Sequence, residues 1–259
     1  MPEGDTLHRV AARLRPALEG AAVTRFEAPR LRGDRPGAGV RVEGVEARGK
    51  NLLVHFDDGL TLRTHLRMTG SWHLYRTGER WRESPGKARV VVEVDNGWLA
   101  VCFAAPVVET YRRGLAEPAT LAHLGPDLSR DDVDLDAVVE RWAARAAADD
   151  ELGVLLLDQR IASGIGNVYR SEVCFVESLD PATPAGALDN ATVRRVYATA
   201  SRLLRANLTT TRRRTVGNGL GVYGRPGRPC PRCGTPIKVR RQGEQARSVY
   251  WCPNCQGTP

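Results

Sequence analysis

Two places in the 259-residue chain carry residue types whose spacing suits chemistry. The first is its start, Met1-Pro2-Glu3-Gly4. Removal of Met1 leaves Pro2 with a free secondary amine. An α-amino group titrates at about 7.7–8.0, so a useful fraction is unprotonated at neutral pH and can attack a carbonyl-like carbon to form a Schiff base. Glu3, its neighbour, is placed to carry protons. A Met-Pro start alone does not demand catalysis, and the rest of the chain must decide. The second place is Cys230-x-x-Cys233 with Cys252-x-x-Cys255, the two pairs separated by eighteen residues. Two knuckle turns bringing four thiolates together predict one tetrahedral structural Zn2+ whose closed coordination leaves no position for chemistry. The other two cysteines, Cys102 and Cys174, lie among apolar neighbours and read as core.

A third motif runs from Leu155 to Glu172 and reads as helix, Gly164-Ile165-Gly166-Asn167 turn, helix. Glycines permit close approach to a strand of phosphates, and Asn167 falls where helix N–H groups favour anions. The alternative is an ordinary helix connection with Asn167 as N-cap. Arg247 sits near the tip of the cysteine hairpin with Gly243 and Gln245, positioned either to reach a phosphate backbone or simply to be solvated. Charge favours phosphate: residues 201–250 hold twelve Arg or Lys against one acid, Glu244, within a chain of formal net charge +8. Residues 117–158 reverse the balance, with eleven acids, and read as a face turned away from any polyanion. The sequence lacks both a membrane-length apolar run of ~20 residues and a secretory signal, so the expectation is a cytoplasmic chain with no membrane partner.

The elements that must position these groups follow from periodicity. Leu7, Val10, Ala11, Leu14 and Leu18 share one face of a helix over 4–19, which Gly20 stops. Alternating runs then predict hairpins: 52–56, turn Asp58-Gly59, 60–66, and 90–94, turn Asn96-Gly97, 98–103. Past Arg112-Arg113-Gly114 the period becomes helical, with helices expected around Leu135–Trp142, Leu152–Arg160, Val168–Glu177 and Thr192–Leu208. The predicted class is α+β: a helix-capped β-sandwich over 1–113, a helical helix-two-turn-helix domain over 118–211 and a four-cysteine zinc-finger hairpin over 225–257, with a possible hinge at 112–118.

Pro2-Glu3-Gly4, the Leu155–Glu172 segment, Val222-Tyr223-Gly224-Arg225 and the terminal Tyr250-Trp251-Cys252-Pro253-Asn254-Cys255-Gln256 resemble the formamidopyrimidine-DNA glycosylase and endonuclease VIII family over the length of the chain. The resemblance implies a bifunctional DNA glycosylase and abasic-site lyase of base excision repair, a monomer acting on double-stranded DNA that contains damaged bases or abasic sites. It implies that the Pro2 amine attacks C1′, that Glu3 protonates the sugar ring oxygen, and that β,δ-elimination through the Schiff base nicks the strand. Lys50, in Arg48-Gly49-Lys50-Asn51, resembles the hairpin lysine that approaches the lesion phosphate, with a surface turn lysine as the alternative. Asn167 and Arg247 match the phosphate-gripping asparagine and zinc-finger arginine, Arg170 a basic residue near the phosphates, and Met68 the wedge that fills the void of a flipped base, unless it is core. The resemblance thus assigns Pro2, Glu3, Lys50 and Arg247 to catalysis, and Lys50, Met68, Asn167, Arg170 and Arg247 to DNA contacts. Gly4-Asp5-Thr6, the absence of an Arg-x-Phe pair in 103–110 and a short connector at 209–224 point to the endonuclease VIII side and to oxidised pyrimidines, leaving a role for Asp5 open. The competing readings are an 8-oxoguanine-preferring glycosylase and a non-catalytic zinc-finger DNA-binding protein.

Overall fold

The computed structural model describes residues 2–115 and 117–257; the expected removal of Met1 lies outside the described residues. The chain divides into two compact units, one holding Thr6–Ala122 and the other Glu3–Asp5 together with the chain from His123 onward.

In the first unit the helix α1 (Gly4–Leu18) buries Leu7, Leu14 and Leu18 without exposed surface, as the 3–4 spacing requires. Eight strands follow: β1 (Val23–Glu27), β2 (Val42–Arg48), β3 (Asn51–Phe56), β4 (Leu60–His65), β5 (Ser71–Arg76), β6 (Ala88–Val94), β7 (Trp98–Phe103) and β8 (Val107–Arg112). They pair antiparallel into two four-stranded sheets, ordered β1-β6-β7-β5 and β2-β3-β4-β8. The turns at Gly59 and Gly97 adopt φ of +83° and +79°, the left-handed backbone that glycine tolerates. Val54, Phe56 and Leu62 from one sheet meet Val90, Val92, Ala100 and Cys102 from the other, with α1 closing the core. Each such side chain contributes roughly 1.5–3 kcal/mol of burial. Asn96 ties the β6–β7 turn to the helix, donating to the Ala17 carbonyl at 3.0 Å.

After the single-turn α2 (Ala119–Ala122), the second unit contains α3 (Leu135–Arg145), α4 (Leu152–Leu155), α5 (Asn167–Val176) and α6 (Asn190–Arg205), then a hairpin of β9 (Lys238–Gln242) and β10 (Arg247–Trp251). Asp134 caps α3, and Asp189 caps α6 through the Thr192 N–H at 2.7 Å, starting that helix two residues before the sequence expectation. Their core joins Trp142, Leu152, Ile161, Ile165, Tyr169, Tyr197 and Leu204. One expectation fails: the helix over Leu152–Arg160 is a single turn. The Leu157 N–H turns back to the Val154 carbonyl at 3.0 Å, and the Asp158 carboxylate captures the Arg160 N–H at 2.9 Å, a local bond that displaces helix continuation. The α+β class therefore stands. Among the described residues no helix is long and apolar enough to cross a membrane.

Candidate active site and nucleic-acid interface

Glu3 is the residue that the second unit organises. Its carboxylate has no exposed surface and accepts the Gly166 N–H at 2.8 Å, the Val168 N–H at 2.8 Å and the Tyr169 N–H at 3.3 Å. These amides form the open N-terminus of α5, so the anion that the helix end attracts is internal, the side chain of Glu3. Gly4 adds a backbone bond from its N–H to the Gly164 carbonyl at 2.9 Å. A Cβ at Gly166 would lie 2.6 Å from Glu3 Cγ, which explains the second glycine of the turn: it admits the carboxylate. Pro2, half-buried, is the residue bonded to Glu3. Asp5, whose purpose the sequence left open, is fully buried and forms a two-pronged pair with Arg213 at 2.7 and 2.8 Å.

Gly166, not Asn167, is the N-cap of α5, and it makes no side-chain cap bond. Asn167 instead donates its amide to the Ser248 carbonyl of β10 at 2.6 Å, and its oxygen accepts from Arg170. Arg170, expected as a basic residue near the phosphates, is turned inward. It has no exposed surface, and its guanidinium donates to Asn167, to the Ser248 carbonyl at 2.9 Å and to Gln242 at 3.3 Å. Burial pulls its pKa down to about 10, so it stays charged at neutral pH and holds α5 to the hairpin from inside. Arg247, at the start of β10, is exposed and bonded to Gln245 in the β9–β10 turn. Of Asn167, Arg170 and Arg247, the hairpin arginine is the exposed one.

The four cysteines converge at the base of that hairpin. All four Sγ atoms lie within 4.8 Å of one another, with Cys233–Cys252 at 3.5 Å and Cys230–Cys255 at 3.8 Å. A tetrahedron with Zn–S arms of about 2.3 Å has edges of about 3.8 Å, so the donor set fits a zinc ion and is too open for disulfides. The Arg232 and Cys255 N–H groups point at Cys230 and Cys252 sulfurs, each at 3.4 Å, as thiolates require. Gln256, fully engaged between the Cys252 N–H at 2.7 Å and the Leu179 carbonyl at 2.8 Å, anchors the second knuckle.

In the first unit Lys50 occupies the β2–β3 turn, half-buried. Asn51 closes that turn by donating to the Arg48 carbonyl at 3.1 Å and is itself fixed by Arg63 Nε at 2.9 Å, with Glu109 paired to the same guanidinium. Met68, in the β4–β5 turn, is 68% exposed, which removes the core alternative. Between them lies His65. Burial first, then Lys50, Arg63 and Arg67, lower its pKa to about 4. Its Nδ1 accepts the Arg67 N–H at 3.1 Å, as a neutral ring can. The folded state excludes a proton that the unfolded chain binds below about 6.5, so His65 subtracts stability as pH falls from 6.5 towards 4. Denaturant unfolding should therefore lose about 2 kcal/mol between pH 7 and pH 5 from this group alone. His65→Gln should remove that portion; an unchanged pH slope would show that His65 is not the source.

Sequence reasoning missed Glu172. Its buried carboxylate accepts the Gly221, Val222 and Tyr223 N–H groups at 2.7, 2.9 and 2.7 Å and the Thr215 hydroxyl, clamping the connector after α6. It also missed Gln242 and Arg213. Glu172 lay in the helical motif, but its i+5 offset from Asn167 gave no sign that it faces inward.

Residues 1–104 match the formamidopyrimidine-DNA glycosylase N-terminal domain, and residues 124–216 match the formamidopyrimidine-DNA glycosylase H2TH domain. A probable endonuclease 8 2 of Streptomyces coelicolor is 41% identical across 100% of this chain and 95% of its own. The DNA-(apurinic or apyrimidinic site) lyase Nei2 of Mycolicibacterium smegmatis is 38% identical across 99% of both chains. Among solved structures, MutM (Fpg) of Thermus thermophilus superposes with a TM-score of 0.80 at 28% identity over the whole of both chains. The Lactococcus lactis Fpg bound to abasic-site DNA, at 21% identity and a TM-score of 0.82 over 99% of this chain and all of its own, shares the fold. The chain belongs to the formamidopyrimidine-DNA glycosylase and endonuclease VIII family.

Proposed function

We propose that this protein is a bifunctional DNA glycosylase and abasic-site lyase of base excision repair, of the endonuclease VIII type. The observation that carries the reading is the Glu3 carboxylate, buried on three amides and covalently next to Pro2. With Met1 removed, the Pro2 amine attacks C1′ of a damaged nucleotide; the base leaves with its bonding electrons and the ring opens to an iminium. Glu3 takes the proton that the attached amine sheds and passes it to the ring oxygen, then removes one from the carbon that the iminium acidifies, and β- and δ-elimination break the strand on both sides. Lys50 and Arg247 contact phosphates, Asn167 and Arg170 hold the hairpin that presents Arg247, and exposed Met68 fills the stack when the base is extruded. Cys230, Cys233, Cys252 and Cys255 hold one structural zinc, which gives the hairpin its shape and supplies no chemistry. The working divisions are a sandwich over 1–113, helices over 118–211 and the finger over 225–257. The short connector favours oxidised pyrimidines over 8-oxoguanine, and a chromosomal substrate favours a cytoplasmic protein.

Borohydride reduction on duplexes carrying an oxidised pyrimidine, 8-oxoguanine or an abasic site tests this. The wild type should form a covalent adduct, fastest with the pyrimidine lesion among the two bases, and Pro2→Gly should abolish or strongly reduce it. An adduct that survives Pro2→Gly unchanged removes Pro2 from the mechanism, and faster 8-oxoguanine release overturns the preference.

A further inference from the structure

Asp5 and Arg213 have no role in the mechanism above, yet they form a deeply enclosed ion pair two residues along the chain from Glu3. Asp5 has no exposed side-chain surface and the Arg213 side chain is 14% exposed. Nε and Nη2 of Arg213 meet the two carboxylate oxygens at 2.8 and 2.7 Å, the parallel fork that a lysine cannot reproduce. The guanidinium lies 5.4 Å from the centre of the Tyr169 ring, and the Tyr169 N–H is one of the three donors to Glu3. Burying two charges gains little net stability over an apolar pair, so a general stabilising purpose does not account for the arrangement.

The segment that delivers Arg213 is fixed from both ends. Asn207, fully buried, accepts the Arg214 N–H at 2.8 Å and donates to the Arg214 carbonyl at 2.9 Å. Beyond it, Glu172 clamps Gly221, Val222 and Tyr223. A connector tied at Arg214 and again at Gly221–Tyr223 therefore holds Asp5, two residues after Glu3, while Gly4 is held by the Gly164 carbonyl. The Glu3 carboxylate hangs between these two anchors, accepting from the Gly166, Val168 and Tyr169 amides.

We propose that Arg213, gripped by Asp5, is a positioning residue for Glu3: it fixes the Glu3–Asp5 backbone from the connector side, so that the carboxylate keeps one orientation when it delivers its proton. The proposal rests on Glu3 being the proton carrier. Misplacement of such a group by about 1 Å costs up to about a hundredfold in rate.

Single-turnover base excision at saturating enzyme, read beside affinity for a duplex carrying a non-cleavable abasic analogue, tests it. Arg213→Gln and Asp5→Asn should each slow excision by about tenfold to a hundredfold, with affinity changed less than about threefold, as loss of a positioning contact predicts and loss of a phosphate contact does not. Because the two act as one unit, the double variant should lose no more than the worse single. Arg213→Lys, charged but without the fork, should recover a part of the rate. Wild-type excision by Arg213→Gln, a loss confined to affinity, or additive losses would each overturn the proposal. Should Arg213→Gln fail to fold by thermal melting, Arg213→Lys decides: slowed excision at unchanged affinity supports the role, full rate refutes it. Glu3→Gln is run in parallel; full excision by that variant would sink the proton-carrier reading itself, whatever Arg213 does.

Discussion

Glu3→Gln is expected to slow release of an oxidised base by about 10²- to 10⁴-fold, the range over which a positioned acid–base group contributes, while a pre-formed abasic site still condenses with Pro2 and is still trapped by borohydride. The difference between the two substrates follows from the chemistry. Base loss requires a proton at the ring oxygen as the sugar opens, whereas an abasic sugar already equilibrates with its open aldehyde and offers the amine a carbonyl directly. The side-chain geometry makes the substitution severe. Each Glu3 oxygen faces backbone donors, Oε1 the Val168 N–H and Oε2 the Gly166 and Tyr169 N–H groups. Glutamine replaces one acceptor with an NH2 that must point at another N–H, leaving at least one buried amide unpaired at about 1–3 kcal/mol. A lowered thermal midpoint should therefore accompany the lost excision. Retained trapping on the abasic duplex shows that the variant is folded and that Pro2 is intact. Loss of borohydride trapping on the abasic duplex as well would assign Glu3 to holding the fold, and undiminished base release would dismiss it as the proton carrier.

How much of this could be read from the chain depends on which residues obey a surface-and-core rule. The hairpins at Asp58-Gly59 and Asn96-Gly97, and the α1 face of Leu7, Leu14 and Leu18, follow it, because alternation and the 3.6-residue period report burial directly. The four-cysteine hairpin is legible because metal geometry fixes ligand spacing. Helix α5 breaks the rule. Asn167 through Phe175 are all buried, including Asn167, Arg170, Ser171 and Glu172, which periodicity would send to solvent. These side chains face segments remote in sequence: Asn167, Arg170 and Ser171 the hairpin, the last through the Tyr250 N–H at 3.3 Å, and Glu172 the connector. Their partners lie 43 to 81 residues away, so no local pattern names them. Arg213 was hidden for another reason, since Arg212-Arg213-Arg214 offers three equivalent guanidinium groups and only tertiary structure picks the one that meets Asp5. The over-long helix at Leu152–Arg160 is a failure of local chemistry, where the Asp158 side chain outcompetes the next helical turn.

Metal removal should have the largest effect on binding. The apolar cluster of the finger comprises Val222, Cys230, Ile237 and Cys252, with Phe175 supplied by α5, far too little to order a hairpin without a covalent or metal staple. Structural zinc supplies about 10–16 kcal/mol of apparent folding free energy in isolated fingers, more than that cluster can replace. Cys252→Ser, or exhaustive chelation, is expected to melt the finger and withdraw the Ser248 carbonyl from Asn167 and Arg170. The Arg170 guanidinium then loses every partner on the hairpin and keeps only Asn167 of those named above, so α5 and the hairpin are no longer tied, and Arg247 loses its scaffold. Affinity for an abasic-site duplex should fall by about tenfold or more, and the salt dependence of the residual binding should flatten as phosphate contacts disappear. The two-sheet unit has its own core and should keep its cooperative unfolding transition. Stoichiometric metal analysis, circular dichroism and equilibrium binding on the same preparations follow the three consequences. Full affinity in a metal-free Cys252→Ser protein would show that neither the zinc nor the hairpin arginine serves DNA binding.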